Sequence, residues 1–225
     1  MSGPGVVRSD FDSEIFGVDF YRVVSNDIGL VRFAIQGLPR ERLIVDAKIA
    51  ADDLDLVAGL DAIGFRKAST LVEFEASTVA DATADPGLSR SLELGSEDLG
   101  SHASGFRFQR LMQDARIDRA RTTELMRRWI ANSLAGRRET LAIGRNFCTF
   151  SVDEGRLTID LLSCLDKGQG IGARLLRSVH AEAAARGSNQ VRVTTESENI
   201  PAMRLYSSAG FRPFAAWAAM HLVRA

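Results

Sequence analysis

Two stretches in the last third of the chain carry groups able to do chemistry. Lys167-Gly-Gln-Gly-Ile-Gly172 sets three glycines at alternate positions, and Asn199-Ile-Pro-Ala-Met-Arg-Leu-Tyr206 ends on one of only two tyrosines. Glycine lets a backbone approach a ligand closely, and the free N–H groups at a helix start attract anions. A glycine turn that opens a helix is therefore a candidate pyrophosphate cradle, with Lys167 as a point charge at its edge. Tyr206 offers a phenol, a proton donor. The turn is not a Walker loop, because no Gly-Lys-[Ser/Thr] follows. It also lacks the Gly-x-Gly-x-x-Gly dinucleotide fingerprint, since Leu175 stands three residues after Gly172. For the turn alone, a strand–glycine–helix unit without a ligand is the plainer alternative.

The elements that must position these groups are legible around them. Residues 157–164 (LTIDLLSC) form a mostly apolar run that reads as a buried strand. From Ile171 the chain reads as a helix, with Ile171, Leu175, Leu176, Val179 and Ala183 on one face and Gly187 as its stop. Residues 190–195 (QVRVTT) alternate and are β-branched, a strand. Asn199 can cap a helix with Pro201 in its first turn, running to about Ser208 and ended by Gly210. Residues 211–223 suit one or two closing strands.

At this point the pattern resembles the GNAT acetyltransferase superfamily. The matching residues are Lys167, Gly170 and Gly172, then about 27 residues later Asn199, Ala202, Tyr206, Gly210 and Phe211. Lysine stands where that family more often has Gln or Arg, and only two residues separate Cys164 from Lys167. The resemblance implies acetyl-CoA as cosubstrate. Backbone amides of Gln169, Gly170, Ile171, Gly172 and Ala173 would hold its pyrophosphate, with Lys167 beside them. Leu162, Ser163 and Cys164 would pair with the pantetheine arm and polarise the thioester carbonyl. Asn199 would contact the arm, and Tyr206 would protonate the departing thiolate. A phenol near ~10 roughly matches an alkyl thiol, so that transfer is nearly balanced.

A narrower resemblance spans more of the chain. Phe11-Asp-Ser-Glu-Ile-Phe-Gly17 is similar to the opening of the TDP-fucosamine acetyltransferase family, as are Asp114-Ala-Arg-Ile117, Leu125 and Trp129-Ile-Ala-Asn-Ser-Leu-Ala-Gly136. It implies a nucleotide-linked amino sugar as acceptor. Another amine (a peptide, a polyamine, an antibiotic) stays open, as does a CoA-binding module without catalysis. For the base, Asp160, Glu196, Glu198 and a water chain are all open.

The first half has an order of its own. Residues 42–48 read as a strand, 52–62 as a helix stopped at Gly64-Phe65-Arg66, and 68–74 as a returning strand. The second half repeats this order and has its own Gly210-Phe211-Arg212. Aligning the two triplets sets Leu60 on Tyr206 and Asp53 on Asn199. This reads as a degenerate internal repeat whose first copy, lacking the phenol and the glycine turn, serves as scaffold and acceptor side; common helix–glycine–strand corners are the alternative. Residues 77–104 have linker composition, with a short strand at 92–94, and 106–112 and 122–134 read as helices. In the latter, Leu125, Trp129 and Ser133 recur every four residues, so the helix packs on the sheet or lines the acceptor groove. Asn132 and Ser133 either bond a sugar or cap the helix end.

The expected fold is thus α/β with a mixed sheet (α+β). It combines a GNAT fold in the C-terminal half (105–225), a half-GNAT-like N-terminal α/β domain (1–80) and a linker (81–104). The chain has 225 residues, 45% hydrophobic and 25% charged, with a net charge of −1, ordinary for a globular protein with a sizeable core. No basic block calls for nucleic acid; Arg119 to Arg121 and Arg137-Arg138 read as solvated helix ends, with a phosphate contact to a nucleotide as the lesser alternative for either. The start, MSGPGVV, has no leader pattern, and the longest apolar run, 214–220, is too short to span a bilayer, so a cytoplasmic location is the default. Cys148 and Cys164 read as buried thiols on neighbouring strands, without a disulfide. The three histidines have no partners at metal spacing, so no metal is expected. Oligomeric state stays open, a homodimer included.

Overall fold

The computed structural model describes residues 5–224, so the first four residues of the start read above lie outside it. The first half runs β1 (Val6–Arg8), α1 (Asp10–Phe16), β2 (Asp19–Val23), α2 (Ile28–Gln36), β3 (Leu43–Ala50), α3 (Leu54–Ala62) and β4 (Arg66–Ser77). Then come α4 (Ser96–Gly105), a 3-10 turn (Arg110–Gln113) and α5 (Arg119–Asn132). The chain closes with β5 (Glu139–Ile143), β6 (Asn146–Asp153), β7 (Arg156–Ser163), α6 (Ile171–Ala185), β8 (Gln190–Glu196), α7 (Ile200–Ser208) and β9 (Arg212–Arg224). Asp27, Asp53 and Asp118 cap α2, α3 and α5 through side-chain bonds to free N–H groups of the first turn.

Among the described residues nine strands form one mixed sheet in the order β1-β2-β3-β9-β4-β8-β7-β6-β5. The halves interlock within it. The last strand, β9, lies antiparallel between β3 and β4, while β4 pairs with β8 on its other side. The stretch 211–223, read as one or two strands, thus falls almost wholly in one 13-residue strand, Arg212–Arg224.

Side-chain alternation sorts the helices onto two faces. Val45, Cys148, Ile159 and Val193 pack with α2, α3, α6 and α7 on one face, here called the back. Ile44, Phe20, Phe147 and Leu161 pack with α1, α4 and α5 on the front.

Two local expectations fail for tertiary reasons. Residues 106–112 are not an α-helix; Gln109 is extended and only the 3-10 turn follows, because Arg110 is drawn into bonds with Asp46 and Glu196. The stretch 77–104 carries no strand at 92–94 but does carry α4, whose His102 and Ala103 are fully buried. Its polar composition hid a helix that tertiary packing stabilises.

The two Gly-Phe corners are alike. Asp53 and Asn199 each cap their helix from the side chain, Gly64 and Gly210 each take positive φ, and Phe65 and Phe211 each donate N–H to the carbonyl of the residue five before, Leu60 and Tyr206.

Candidate active site

β7 and β8 are parallel, paired from Arg156↔Gln190 to Ile159↔Val193, and the pairing then stops although both strands continue. A bulge on β7, where Thr149 pairs with Leu161 and Phe150 with Ile159, leaves Asp160 out of register with β6. The strands splay from there. Beyond the bulge, the β8-facing backbone groups of β7 are offered to an extended ligand that adds as a strand. Leu162 and Cys164 turn to the back face. Ser163 turns to the front, where its hydroxyl lies 2.7 Å from His102 Nδ1. The other ring nitrogen, Nε2, lies 2.9 Å from the Arg145 carbonyl, which only accepts. Nε2 therefore carries the proton and Ser163 donates to Nδ1. Burial holds the His102 pKa down and the ring neutral, so the pair ties α4 to the end of β7.

The turn after β7 is pinned by a residue that sequence reading passed over. Asn146, 1% exposed, accepts N–H bonds from Leu165 (2.9 Å) and Asp166 (3.1 Å) and donates to the Ile143 carbonyl and the Asp166 carboxylate. Arg145 grips Asp166 as well. A carboxamide at the start of an apolar strand, directly after the Gly144-Arg145 turn, was the available signal. Beyond this anchor Lys167, Gly168, Gln169 and Gly170 are exposed, and Gly168 and Gly170 take φ of 74° and 70°. Gly170 caps α6 without a side-chain bond to the helix, so the first-turn N–H groups stay available. That leaves a 15-residue helix with a bare N-terminus above a left-handed glycine turn, a fit for a pyrophosphate. Gly172 has a different reason. A Cβ there would come within 2.9 Å of Leu205 Cδ2, so its absence lets α6 and α7 close together. Ile171 is buried and Ala173 exposed.

Tyr206 lies on the back face of the splay, 5% exposed, with its ring 5.8 Å from Phe74 and 6.0 Å from Phe211. Burial pushes its pKa up, with Cys148, Glu196 and Cys164 adding to the rise. The near-balance with a thiol expected from sequence is therefore lost in favour of a firmly protonated phenol. Asn199 caps α7 by accepting from Ala202 N–H at 3.4 Å and donates to Thr195 Oγ1 at 3.1 Å, both structural bonds.

Glu196 ends β8 on the front face. Its carboxylate accepts the Arg110 N–H at 3.1 Å, and burial raises its pKa while Arg110 opposes that rise. Asp160, raised by burial as well, lies 2.9 Å from the Arg138 guanidinium, which opposes that rise, and Glu198 is exposed. Arg110 itself forks onto Asp46, at 3.0 and 2.6 Å. His221, fully buried, sits 3.5 Å from Asp46 and 3.1 Å from Asp114, and Arg116 closes the cluster on Asp114 at 2.6 Å. The guanidinium of Arg110 and the ring of His221 hold the Asp46 carboxyl well below the usual range, and His221 with Arg116 does the same for Asp114. The two carboxylates raise His221 against its burial. None of Arg110, Asp46 or His221 was singled out from sequence for this role, since the pairs join residues 64 and 107 positions apart.

Two pockets open on the front face. One, of about 280 Å³, is lined by Phe11, Asp12, Phe20, Arg22, Gln109, Arg110, Leu111, Leu125 and Trp129. The other, of about 190 Å³, is lined by Asn132, Ser133, Arg137 and Arg138 and shares Phe11 and Trp129 with the first. Arg110 joins the larger pocket to Glu196, and Arg138 joins the smaller to Asp160. The α5 helix thus both packs on the sheet, through Leu125 and Ile130, and lines a groove, through Trp129.

Cys148 and Cys164 are both free, and burial raises both thiols. Among the described residues no helix is long and apolar enough to cross a membrane.

Residues 167–211 match the acetyltransferase (GNAT) family model. Comparison with curated proteins gives no match. Among solved structures the chain resembles a GCN5-related N-acetyltransferase from Sphaerobacter thermophilus, with TM-score 0.60 and 14% identity over 97% of this chain and 75% of that one. A GCN5-related N-acetyltransferase from Kribbella flavida gives 0.59 and 13% over 98% and 87%. A tandem GNAT protein from the clavulanic acid biosynthesis pathway gives 0.55 and 12% over 100% and 85%. These likenesses show a GNAT-like fold along nearly the whole chain. The matched segment and the shared fold together support an acetyl-CoA-dependent N-acetyltransferase.

Proposed function

We propose that the protein moves an acetyl group from acetyl-CoA to the amine of a nucleotide-linked amino sugar by direct transfer. One observation carries the acyl-transfer reading: the β7–β8 splay, with Tyr206 on its back face, Glu196 on its front face and the α6 glycine turn at its open end. Acetyl-CoA supplies the activated acyl thioester. The amides of Gln169, Gly170, Ile171, Gly172 and Ala173 bind its pyrophosphate, with Lys167 alongside. The backbone of Leu162, Ser163 and Cys164 orients the arm and aims N–H dipoles at the acyl oxygen. Asn199 acts chiefly through the helix it caps, beside the arm.

Glu196 takes the proton of the attacking amine. A carboxylate raised by burial is a stronger base than an exposed one, and Arg110 fixes its orientation. Tyr206 delivers a proton to the leaving sulfur from the opposite face. Direct transfer suits the cysteines, since two thiols raised by burial carry little thiolate at neutral pH.

The nucleotide-sugar part rests on the front groove and on the resemblances of residues 11–17 and 114–136. Arg137 and Arg138 set two guanidinium groups along the smaller pocket, suited to a diphosphate, next to the aromatic rim of Phe11 and Trp129. The first half then forms the acceptor side. The test is thiol release from acetyl-CoA with a panel of amines that includes a TDP-linked 4-amino-4,6-dideoxyhexose. Release confined to the nucleotide sugar is the expected result. Equal release with a simple polyamine overturns the acceptor assignment. No release with any amine, while acetyl-CoA still raises the melting temperature, overturns the catalytic one.

A further inference from the structure

The segment Phe11–Gly17 has a structural reason for nearly every residue. Ser13 donates to the Ser9 carbonyl at 2.7 Å and accepts the Phe20 N–H at 2.9 Å. Glu14 pairs with Arg128 at 2.7 Å. Ile15 and Phe16 fill the front core with Phe20 and Leu111. Gly17 closes α1 with φ of 65°, where a side chain would be strained. Phe11 and Asp12 remain, and both line the 280 Å³ pocket.

Asp12 is a charged group at 2% exposure in a pocket wall. Its Oδ2 accepts from Arg22 at 2.5 Å, and Arg22 is itself half-exposed. A carboxylate offers about four acceptor sites, and leaving them unfilled away from water is costly. Its place in the first turn of α1 and the attraction of Arg110 in the same wall favour the carboxylate there, while Arg22 is its single hydrogen-bond partner among the described residues, so acceptor sites stay open to the pocket. The pocket floor is apolar, through Phe20, Leu111 and Leu125, and Phe11 and Trp129 stand at its rim. Arg110 in the same wall bonds Glu196 through its backbone N–H, so an occupant of this pocket lies one residue from the proposed base.

We infer that Asp12 is a specificity-determining residue for the acceptor: its carboxylate, held by Arg22, accepts hydrogen bonds from the hydroxyls of the amine-bearing sugar ring seated between the aromatic rim and the apolar floor. This rests on the amino-sugar reading of the acceptor and extends it to a named contact. A ring with vicinal hydroxyls satisfies the free acceptor sites, presents an apolar face to Phe11 and Trp129, and needs no further positive charge beside Arg22 and Arg110.

The test is a cycle on the full chain. Wild type and Asp12→Asn are each assayed with the nucleotide-linked amino sugar and with its analogue lacking one ring hydroxyl, and acceptor binding is followed in parallel by calorimetry. In wild type, removing the contacted hydroxyl raises KM by about 10- to 100-fold, as for a bond to a charged partner, with a much smaller change in kcat. In Asp12→Asn the same deletion costs only about 2- to 10-fold, because the amide keeps an acceptor oxygen but loses the charge that strengthens the bond. Asp12→Asn is isosteric, and acetyl-CoA must raise its melting temperature as in wild type. Multiplicative losses, with the hydroxyl worth as much in Asp12→Asn as in wild type for every analogue, overturn the inference. The free amino sugar runs as a second acceptor. If it binds as well as the nucleotide-linked form and still shows the cycle, the nucleotide reading fails and Asp12 stands. If neither sugar binds, both fall.

Discussion

Tyr206→Phe separates the acid role from packing. The ring lies between Phe74 and Phe211, at 5.8 and 6.0 Å, and phenylalanine fills the same space. A volume-conserving change of this kind costs little, so the melting temperature should stay within about 2 °C of wild type. The hydroxyl is the only loss. Removing a general acid costs about 10²- to 10⁴-fold, or about 2.7–5.4 kcal/mol of barrier at about 1.36 kcal/mol per decade. The raised pKa sharpens the expectation. A phenol above ~10 gives a proton to a thiolate near ~8.5 uphill, so transfer must accompany C–S cleavage as the sulfur becomes basic. Turnover in wild type should then show no falling limb from this group up to about pH 10, since the phenol stays protonated there. The assay is thiol release at saturating amine, with acetyl-CoA binding followed by its melting shift. Turnover within threefold of wild type refutes the acid role. Lost turnover together with lost acetyl-CoA binding assigns Tyr206 to binding instead.

Three further outcomes are expected. Glu196→Gln should slow turnover by about 10²-fold or more and abolish the acidic limb of the rate profile. Because burial raises Glu196, that limb in wild type, read by kcat/KM against pH, should lie above the usual glutamate value of ~4.3; a limb at or below it removes Glu196 as base. Asn146→Ala strips bonds from Leu165 N–H, Asp166 N–H and the Ile143 carbonyl, a loss of roughly 2–4 kcal/mol, or about 4–16 °C in melting temperature. Its KM for acetyl-CoA should rise as the glycine turn loosens, and a normal KM would uncouple the anchor from the cradle. The buried cluster sets stability against pH. The depressed carboxyls of Asp46 and Asp114 contribute above their ordinary ~3.9 and lose it as pH falls, whereas His221, raised, contributes below its ordinary ~6.5 and loses it as pH rises through its folded value. Melting temperature should crest between about pH 4 and 7. His221→Gln should flatten the alkaline decline, and an unaltered decline would locate it elsewhere.

The part of this molecule legible in sequence is the part whose physics is local. α6, α7 and β8 announced themselves through periodicity and caps, and both Gly-Phe corners through a left-handed glycine followed by a buried ring. The glycines of the turn were read with one reason, close approach of a ligand, and the structure divides them: Gly168 and Gly170 meet a backbone requirement, Gly172 a helix contact with Leu205. What stayed hidden rests on long-range pairing. Arg110 reads as part of a helix until Asp46, 64 residues away, is seen to hold it. α4 reads as linker because its sequence is polar, and only Ala103 and His102 against the front core make it a helix. Asp12 and Asn146 are single buried polar residues, and burial is a property of the whole sheet.

Interlocking ties the proposed acceptor side to the proposed catalytic side through shared strands. Leu71 of β4 pairs with Glu196 on one side and with Trp217 on the other, so a first-half strand fixes where the proposed base stands. Asp46 of β3 neutralises the arginine whose backbone orients that carboxylate. Without residues before 78, β8 would be a sheet edge beyond its short pairing with β7, β9 would lose both neighbours, and Arg110 would be a buried guanidinium lacking its counterion. An unpaired buried charge costs several kcal/mol, comparable to a domain's whole stability. The glycine turn and Tyr206 lie within the segment that matches the acetyltransferase family, yet the carboxylate facing them is built from both ends of the chain. Selection on the acceptor side therefore acts through the same strands that hold the sheet together, and changes there should shift stability and turnover as one.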